Sequence, residues 1–269
     1  MRIAFLGGGN MASALVGGML ARRVDPRSLS VIEVSPAARE RIAAHKVRVS
    51  TAPDAATAEA DTLVIAVKPQ DLRAALAGLS IDVTQKLVVS IAAGVRVDAL
   101  SRWLGGHRRI VRCMPNTPAL VGAGVTGLYA AAEVGTEDRK SAEAILRAVG
   151  EVVWLREERL LDPVTAVSAS GPAYVFWLIE QLAAFAEQAG IARDDALRLA
   201  KHCVFGAGKL ALESEASPAD LRRGVTSKGG TTEAALNVFA AEKLAERFSR
   251  ALEAATRRGA ELGDLLGKD

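Results

Sequence analysis

The chain has 269 residues, half of them hydrophobic, enough to bury one sizeable core or two smaller ones. Its 34 Lys and Arg stand against 31 Asp and Glu, a formal charge of +3 scattered along the chain, with no arginine tract and no basic stripe interleaved with aromatics. That argues against a nucleic-acid partner, and the 24 Gly are too many for a plain helical bundle but normal for an α/β protein with tight turns.

Taken in order, residues 2–6 form a short apolar run suited to a buried parallel strand, closed by Gly7-Gly8-Gly9, and residues 11–22 read as a helix rich in small residues. Residues 29–34 are the next strand. Ser35-Pro36 follows as N-cap and first-turn proline of a helix over 37–44. A strand at 47–49, a helix at 53–60 and a strand at 61–67, ended by Lys68-Pro69, come next. The pattern continues with a helix at 71–79, a strand at 87–91 closed by Ala92-Ala93-Gly94, a helix at 97–104 and a strand at 109–113. Met114-Pro115-Asn116-Thr117-Pro118 reads as a rigid loop, and strands at 125–129 and 151–155 flank a helix at 137–149. Such alternation is the grammar of a doubly wound sheet with crossover helices.

After Leu161 strand signals vanish. Helical stretches are expected at 162–189, broken or kinked by Gly171-Pro172, then at 194–213, 218–225 and 231–262. The expected architecture is therefore α/β, with a Rossmann-type dinucleotide-binding domain over 1–160 and an all-α domain over 161–269. Val175, Phe176, Trp177, Leu178, Ile179, Leu182 and Phe185 clothe most of one helix's circumference. A helix apolar all round is normally buried, and a helical domain of about a hundred residues has little room for that, so a partner subunit is expected. No apolar run reaches the ~18 residues of a membrane span, because Glu180 and Gln181 interrupt the nearest one. The N-terminus lacks the basic and apolar regions of a signal peptide, so the expected location is cytoplasmic. Cys113 and Cys203 sit in apolar stretches without CxxC spacing and read as reduced core or near-core residues. His45, His107 and His202 are too scattered for a metal site, and none is expected.

Gly7-x-Gly9-x-x-Ala12 lies between a strand and a helix, where Gly7 permits the tight turn, Gly9 admits a pyrophosphate to the backbone and Ala12 lets helix and strand pack closely. Asn10 and Met11 open that helix, whose free N–H groups and dipole favour an anion. Glu33, about twenty residues on, stands where an acidic residue holds the ribose hydroxyls of NAD. Ser35 and Arg39 could instead receive the 2′-phosphate of NADPH, so NADH and NADPH both stay open. Ala66, Val67, Lys68 and Pro69 end one strand, and Ala92, Ala93 and Gly94 end the next, giving a small-residue wall for a nicotinamide. Ligands of such folds bind outside the carboxyl ends of strands, which makes Lys68 a candidate catalytic or cofactor residue and Asn116, between two prolines, a candidate site residue.

Thr226-Ser227-Lys228-Gly229-Gly230-Thr231-Thr232-Glu233 is the second outlier. Two glycines followed by hydroxyls at a helix start offer N–H groups and hydroxyls to an anion, although Thr231 or Thr232 could equally serve as an N-cap. The lysine precedes the glycines, so this is not a P-loop.

These motifs, with Arg112-Cys113-Met114-Pro115-Asn116 and Ser170-Gly171-Pro172-Ala173-Tyr174, run in an order that resembles the pyrroline-5-carboxylate reductase family over nearly the whole chain. The resemblance implies NAD(P)H-dependent reduction of L-1-pyrroline-5-carboxylate to L-proline. It also implies domain-interlocked homodimers through the helical domain, assembled in some members into larger rings such as a decamer. It places the substrate carboxylate and ring nitrogen at Ser227, Gly229, Gly230, Thr231 and Thr232, with the Thr232 hydroxyl beside the nitrogen as the second candidate catalytic group. One departure is Lys228, where the family usually has proline. Two rivals are a β-hydroxyacid dehydrogenase and a non-catalytic dinucleotide sensor. The first wants a lysine on the first long helix after the nucleotide domain, and residues 173–189 carry none; the second need not keep Asn116 or the threonine pair.

Overall fold

A computed structural model describes residues 1–268. The first part of the chain builds an eight-stranded sheet in the order β3-β2-β1-β4-β5-β6-β7-β8. Its strands are β1 (Ile3–Leu6), β2 (Leu29–Ile32), β3 (Arg48–Ser50), β4 (Thr62–Ile65), β5 (Leu87–Ser90), β6 (Ile110–Met114), β7 (Gly124–Ala130) and β8 (Gly150–Trp154). The first six are parallel in doubly wound order, so the topology reverses between β1 and β4. β7 returns antiparallel to β6, and β8 pairs parallel to β7.

β1, β2, β4 and β5 are buried at every position, as expected for strands covered on both faces. Alternation along β1 divides the core. Ile3 and Phe5 join the cluster that includes Leu15 and Val16 of α1 (Asn10–Ala21) and Ile145 of α6 (Thr136–Arg147). Ala4 and Leu6 face the opposite cluster, with Leu72 and Leu76 of α4 (Pro69–Ala77) and Leu100 of α5 (Val97–Trp103). Two short helices complete this part, α2 (Pro36–Ala43) and α3 (Ala55–Ala58). Ser35 is the N-cap of α2, accepting from the Ala38 N–H, with Pro36 in the first turn, as the sequence pattern predicts.

The helices that follow are α7 (Leu161–Val164), α8 (Gly171–Gln188), α9 (Arg193–Glu213), α10 (Pro218–Gly224), α11 (Thr231–Ala241) and α12 (Leu244–Leu266). The expected break before α8 is a π-helical turn at Thr165–Ala169. The single helix expected over 231–262 is two helices. It breaks at Lys243, which takes the left-handed region at φ 53° with neither Gly nor Pro to announce it.

The chain forms two compact units, one made of Met1–Ser170 with the chain from Ala255 onward, the other of Gly171–Ala254. The expected boundary at 160/161 falls short of this division because Leu161 is fully buried and, with Val164, packs over Gly127 of β7. Residues 255–268, expected in the helical part, return to the sheet unit, where Asp264 pairs with Arg96. In the unit of Gly171–Ala254, α8 and α9 pack against each other and Tyr174 meets Phe248 edge-to-face at 6.1 Å. Cys203, expected in or near a core, is exposed on α9, whereas Cys113 is buried in β6 and burial pushes its thiol pKa up. Both are free thiols. No helix among the described residues is long and apolar enough to cross a membrane, and no cluster of His, Cys, Asp and Glu there could hold a metal ion.

Candidate active site

The glycine turn after β1 explains its own composition. Gly7 sits at φ 101°, and a Cβ there would lie 2.8 Å from the backbone carbonyl carbon of Ala66 at the end of β4. Its N–H donates to the Ile32 carbonyl at 2.8 Å, fixing the turn against β2. Gly9 is the N-cap of α1 and has no side chain to cap it; a Cβ on Gly9 would meet nothing within 4 Å. The N–H groups of Asn10, Met11 and Ala12 have no partner among the described residues. Three unpaired N–H groups at the positive end of a helix suit a pyrophosphate.

A cleft of about 540 Å³ opens beside them. Its walls come from the segments just past the carboxyl ends of four strands: Gly7 and Gly9 after β1, Glu33 to Ser35 after β2, Thr51 to Pro53 after β3, and Ala66 to Lys68 after β4. That is the crevice at the topological switch point, where dinucleotides bind in this architecture. Sequence reasoning passed over Thr51, Ala52 and Pro53, though their place at a strand's carboxyl end was a usable signal. It also passed over the flank supplied by Asp71, Ala74 and Ala75 of α4.

The Glu33 carboxylate is held in place, accepting from the Gly8 N–H at 2.7 Å and the Ser35 N–H at 2.6 Å. Each oxygen keeps a further lone pair for a hydroxyl. Arg39 donates to the Val34 carbonyl at 2.7 Å and does not line the cleft. Lys68 is the N-cap residue of α4, exposed at the cleft wall and without an ion pair among the described residues, and Pro69 follows as the first helical residue.

Ala92, Ala93, Gly94 and Asn116, also expected at the site, do not line this cleft. Ala92 is buried, Ala93 is exposed and Gly94 takes a positive φ of 78° in the turn after β5. Asn116 is buried and braced: its Oδ1 accepts from the Val125 N–H at 2.9 Å and its Nδ2 donates to the Ser168 carbonyl at 3.1 Å. It ties the loop after β6 to the start of β7 and to the π-helical turn, leaving one amide hydrogen uncommitted.

In the other unit, the chain between α10 and α11 closes a tight turn in which the Gly230 N–H donates to the Ser227 carbonyl at 3.0 Å. Gly229, third in the turn, has φ 72°, the position that a type II turn reserves for glycine. The Glu233 carboxylate reaches back to the Gly229 N–H at 2.7 Å. Neither threonine is the N-cap; Gly230 is, with no side-chain cap. Helix capping therefore consumes neither hydroxyl, and the N–H groups of Thr231 and Thr232 have no partner among the described residues.

Fold and cleft together define a dinucleotide-dependent oxidoreductase that carries a second, all-helical unit. Residues 158–262 match the family model for pyrroline-5-carboxylate reductase dimerisation, and residues 2–94 match that for coenzyme F420-dependent NADP oxidoreductases. A pyrroline-5-carboxylate reductase of Pseudomonas aeruginosa is 44% identical over 99% of this chain and 98% of its own. The structure of a pyrroline-5-carboxylate reductase from Coxiella burnetii superposes with a TM-score of 0.90 at 40% identity, covering 97% of this chain and 98% of that one. A Plasmodium falciparum pyrroline carboxylate reductase with NADP bound matches with a TM-score of 0.84 at 26% identity, covering 98% of both chains. The chain belongs to the pyrroline-5-carboxylate reductase family.

Proposed function

We propose that this enzyme reduces the cyclic imine L-1-pyrroline-5-carboxylate to L-proline, the last step of proline biosynthesis, with NADPH or NADH as hydride donor. The observation that carries the reading is the open start of α11. Gly230 caps the helix without a side chain, so the N–H groups of Thr231 and Thr232 and both hydroxyls are free for a carboxylate and a ring nitrogen. Ser227, Gly229 and Gly230 set the turn that presents them.

The dinucleotide would lie in the cleft past β1 to β4, its pyrophosphate on the N–H groups of Asn10 and Met11 beside Gly7 and Gly9, and its chemistry is to deliver a hydride to the imine carbon. Glu33 would accept from the adenosine ribose. Its carboxylate disfavours a 2′-phosphate, while the Ser35 hydroxyl on the cleft wall favours one and Arg39 would have to leave the Val34 carbonyl to join it; the proposal takes both cofactors as hydride donors. Ala66, Val67 and Pro69 shape the cleft past β4, and Lys68 sets a cation against the cofactor's negative charge. Ala92, Ala93 and Gly94 wall the nicotinamide, and Asn116 holds the neighbouring loop. The Thr232 hydroxyl hydrogen-bonds the ring nitrogen as the imine becomes an amine, orienting the substrate rather than acting as a strong acid. Positioning of this kind accounts for most of the rate in a reaction whose substrate is already electrophilic.

The enzyme works as a homodimer through its helical part, in the cytoplasm, where two free thiols remain reduced. Assembly of dimers into a decamer belongs to the same proposal. The same proposal divides the labour, with the dinucleotide held by residues of the sheet unit and dimerisation with substrate binding assigned to the helical unit of Gly171–Ala254. A spectrophotometric assay with pyrroline-5-carboxylate, run separately with NADH and NADPH, tests the reading; no turnover with either cofactor rejects it. In the same assay Thr232→Ala lowers kcat/KM by about tenfold to a hundredfold, the range for a lost orienting hydrogen bond, and unchanged kinetics would remove that role.

A further inference from the structure

The turn after β5 is held from both sides, and one of the holders is the far end of the chain. A Cβ on Gly94 would stand 3.0 Å from Leu266 Cδ1 and 3.7 Å from the Gly263 nitrogen. The approach is reciprocal: a Cβ on Gly263 would lie 3.1 Å from the Gly94 carbonyl oxygen and 3.0 Å from Arg96 Nε. Gly263 is the buried residue of α12, and glycine inside a helix weakens it relative to alanine. What this glycine provides is room for the helix backbone to lie against the turn.

Polar contacts fix the same approach. Arg96 Nη2 pairs with Asp264 Oδ1 at 2.9 Å and reaches the Ala260 carbonyl at 3.5 Å, and Arg102 Nη2 donates to the Gly267 carbonyl at 2.7 Å. On the other side, the Val97 N–H donates to Glu158 Oε1 at 2.8 Å, and that carboxylate is held by the buried guanidinium of Arg112 at 3.0 Å. The segment from Ala92 to Val97 is thus clamped between the end of α12 and the Glu158–Arg112 pair.

We propose that the C-terminal end of α12 sets the position of the nicotinamide wall, with Gly263 and Asp264 as positioning residues acting through Gly94 and Arg96. The inference rests on the reading that residues 92–94 face the nicotinamide. Hydride transfer requires the reacting carbons in near-attack geometry, and a displacement of about 1 Å remote from the chemistry can cost about a hundredfold in rate. The Gly94 carbonyl is backbone and moves only with its turn, so an added methyl at 263 is felt at the wall.

The test uses the full-length enzyme and the variants Gly263→Ala, Asp264→Ala, Asp264→Glu and Ala93→Leu. The readouts are NADPH dissociation constants from cofactor fluorescence, kcat, both KM values and Tm. Gly263→Ala raises the NADPH Kd and KM about threefold to tenfold and leaves KM for the imine within about twofold, while Tm changes little because the gain in helix propensity opposes the crowding against Gly94 and Arg96. Asp264→Ala moves the same constants in the same direction, and Asp264→Glu restores them. Ala93→Leu, exposed on the wall, raises the NADPH Kd by itself. If Ala93→Leu leaves Kd unchanged, the wall reading fails and the proposal fails with it. If Ala93→Leu acts but Gly263→Ala and Asp264→Ala bind NADPH like the parent, the wall stands and the positioning role is overturned. A fall in Tm with both KM values rising together also overturns it, since that is the signature of packing alone.

Discussion

In the unit built on the sheet, Phe5, Leu15, Leu63, Leu100 and Leu128 are wholly buried, and each sits between a strand face and a helix of the same unit. Between Gly171 and Ala254 the buried residues are two alanines, Ala196 and Ala200, while Phe176, Trp177 and Phe185 on α8 are 60%, 59% and 74% exposed. Apolar content does not separate the two. A sheet offers two faces, and the crossover helices of the same chain cover both. A few helices with apolar residues around most of their circumference offer more surface than their neighbours can cover, and a second copy of the chain supplies the remainder in the proposed dimer.

Four experiments would break or sharpen that contrast. The largest effect belongs to the open unit: Phe185→Asp places a charge on the apolar circumference of α8 and weakens dimerisation by roughly a thousandfold, about 4 kcal/mol for a buried aromatic anchor. Sedimentation equilibrium reads this directly, and a variant that stays dimeric at micromolar concentration would show that α8 is not covered by a partner. Gly7→Ala strikes the closed unit instead. Its new methyl lies 2.8 Å from the Ala66 backbone at a φ that costs about 1–3 kcal/mol, so NADPH affinity drops about tenfold or more while the dimer persists.

A smaller effect comes from His107, buried in the segment between α5 and β6 with its Nε2 unpartnered. Burial pushes its pKa below the ordinary 6.5, so the folded state keeps it neutral where the unfolded chain takes up a proton. The unfolded state then binds more protons, and stability falls as pH drops through 6.5. Differential scanning calorimetry between pH 7.5 and 5.5 shows Tm declining from this source, and His107→Gln flattens that slope. The smallest effect is a gain. Lys228 is second in the turn whose third residue is Gly229 at φ 72°, and no bond from its N–H is made, so Lys228→Pro stiffens the loop. It raises stability by about 0.4–1 kcal/mol, read as a rise in Tm, and a fall in Tm would show that the turn departs from type II.

Much of the sheet unit is legible in the sequence because its signals are local. Buried strands read as short apolar runs, Ser35-Pro36 announces a helix start, and Gly7 and Gly9 are demanded by one turn. The cleft past β1 to β4 is legible for the same reason at Glu33 and Lys68, which line it. Thr51 to Pro53 belong to it through the position of β3 beside β2, which no local pattern states. The break at Lys243 carried no signal either, since a left-handed lysine is imposed by its surroundings rather than by its own preference.

By itself the sequence determined the strand–helix alternation, the glycine turn, the order of motifs that places the chain in its family, and the two hydroxyls at the start of α11. Those are properties of residue type and spacing. Only the tertiary structure decided that Asn116 spends its amide on Val125 and Ser168, that the Glu33 carboxylate is tied to two backbone N–H groups, and that the chain from Ala255 onward returns to the sheet unit. The Glu33–Gly8 and Asn116–Ser168 bonds and the return of α12 join residues far apart in the chain. A hydrogen bond or a close approach of two backbones exists only once the fold has brought its partners to the same place.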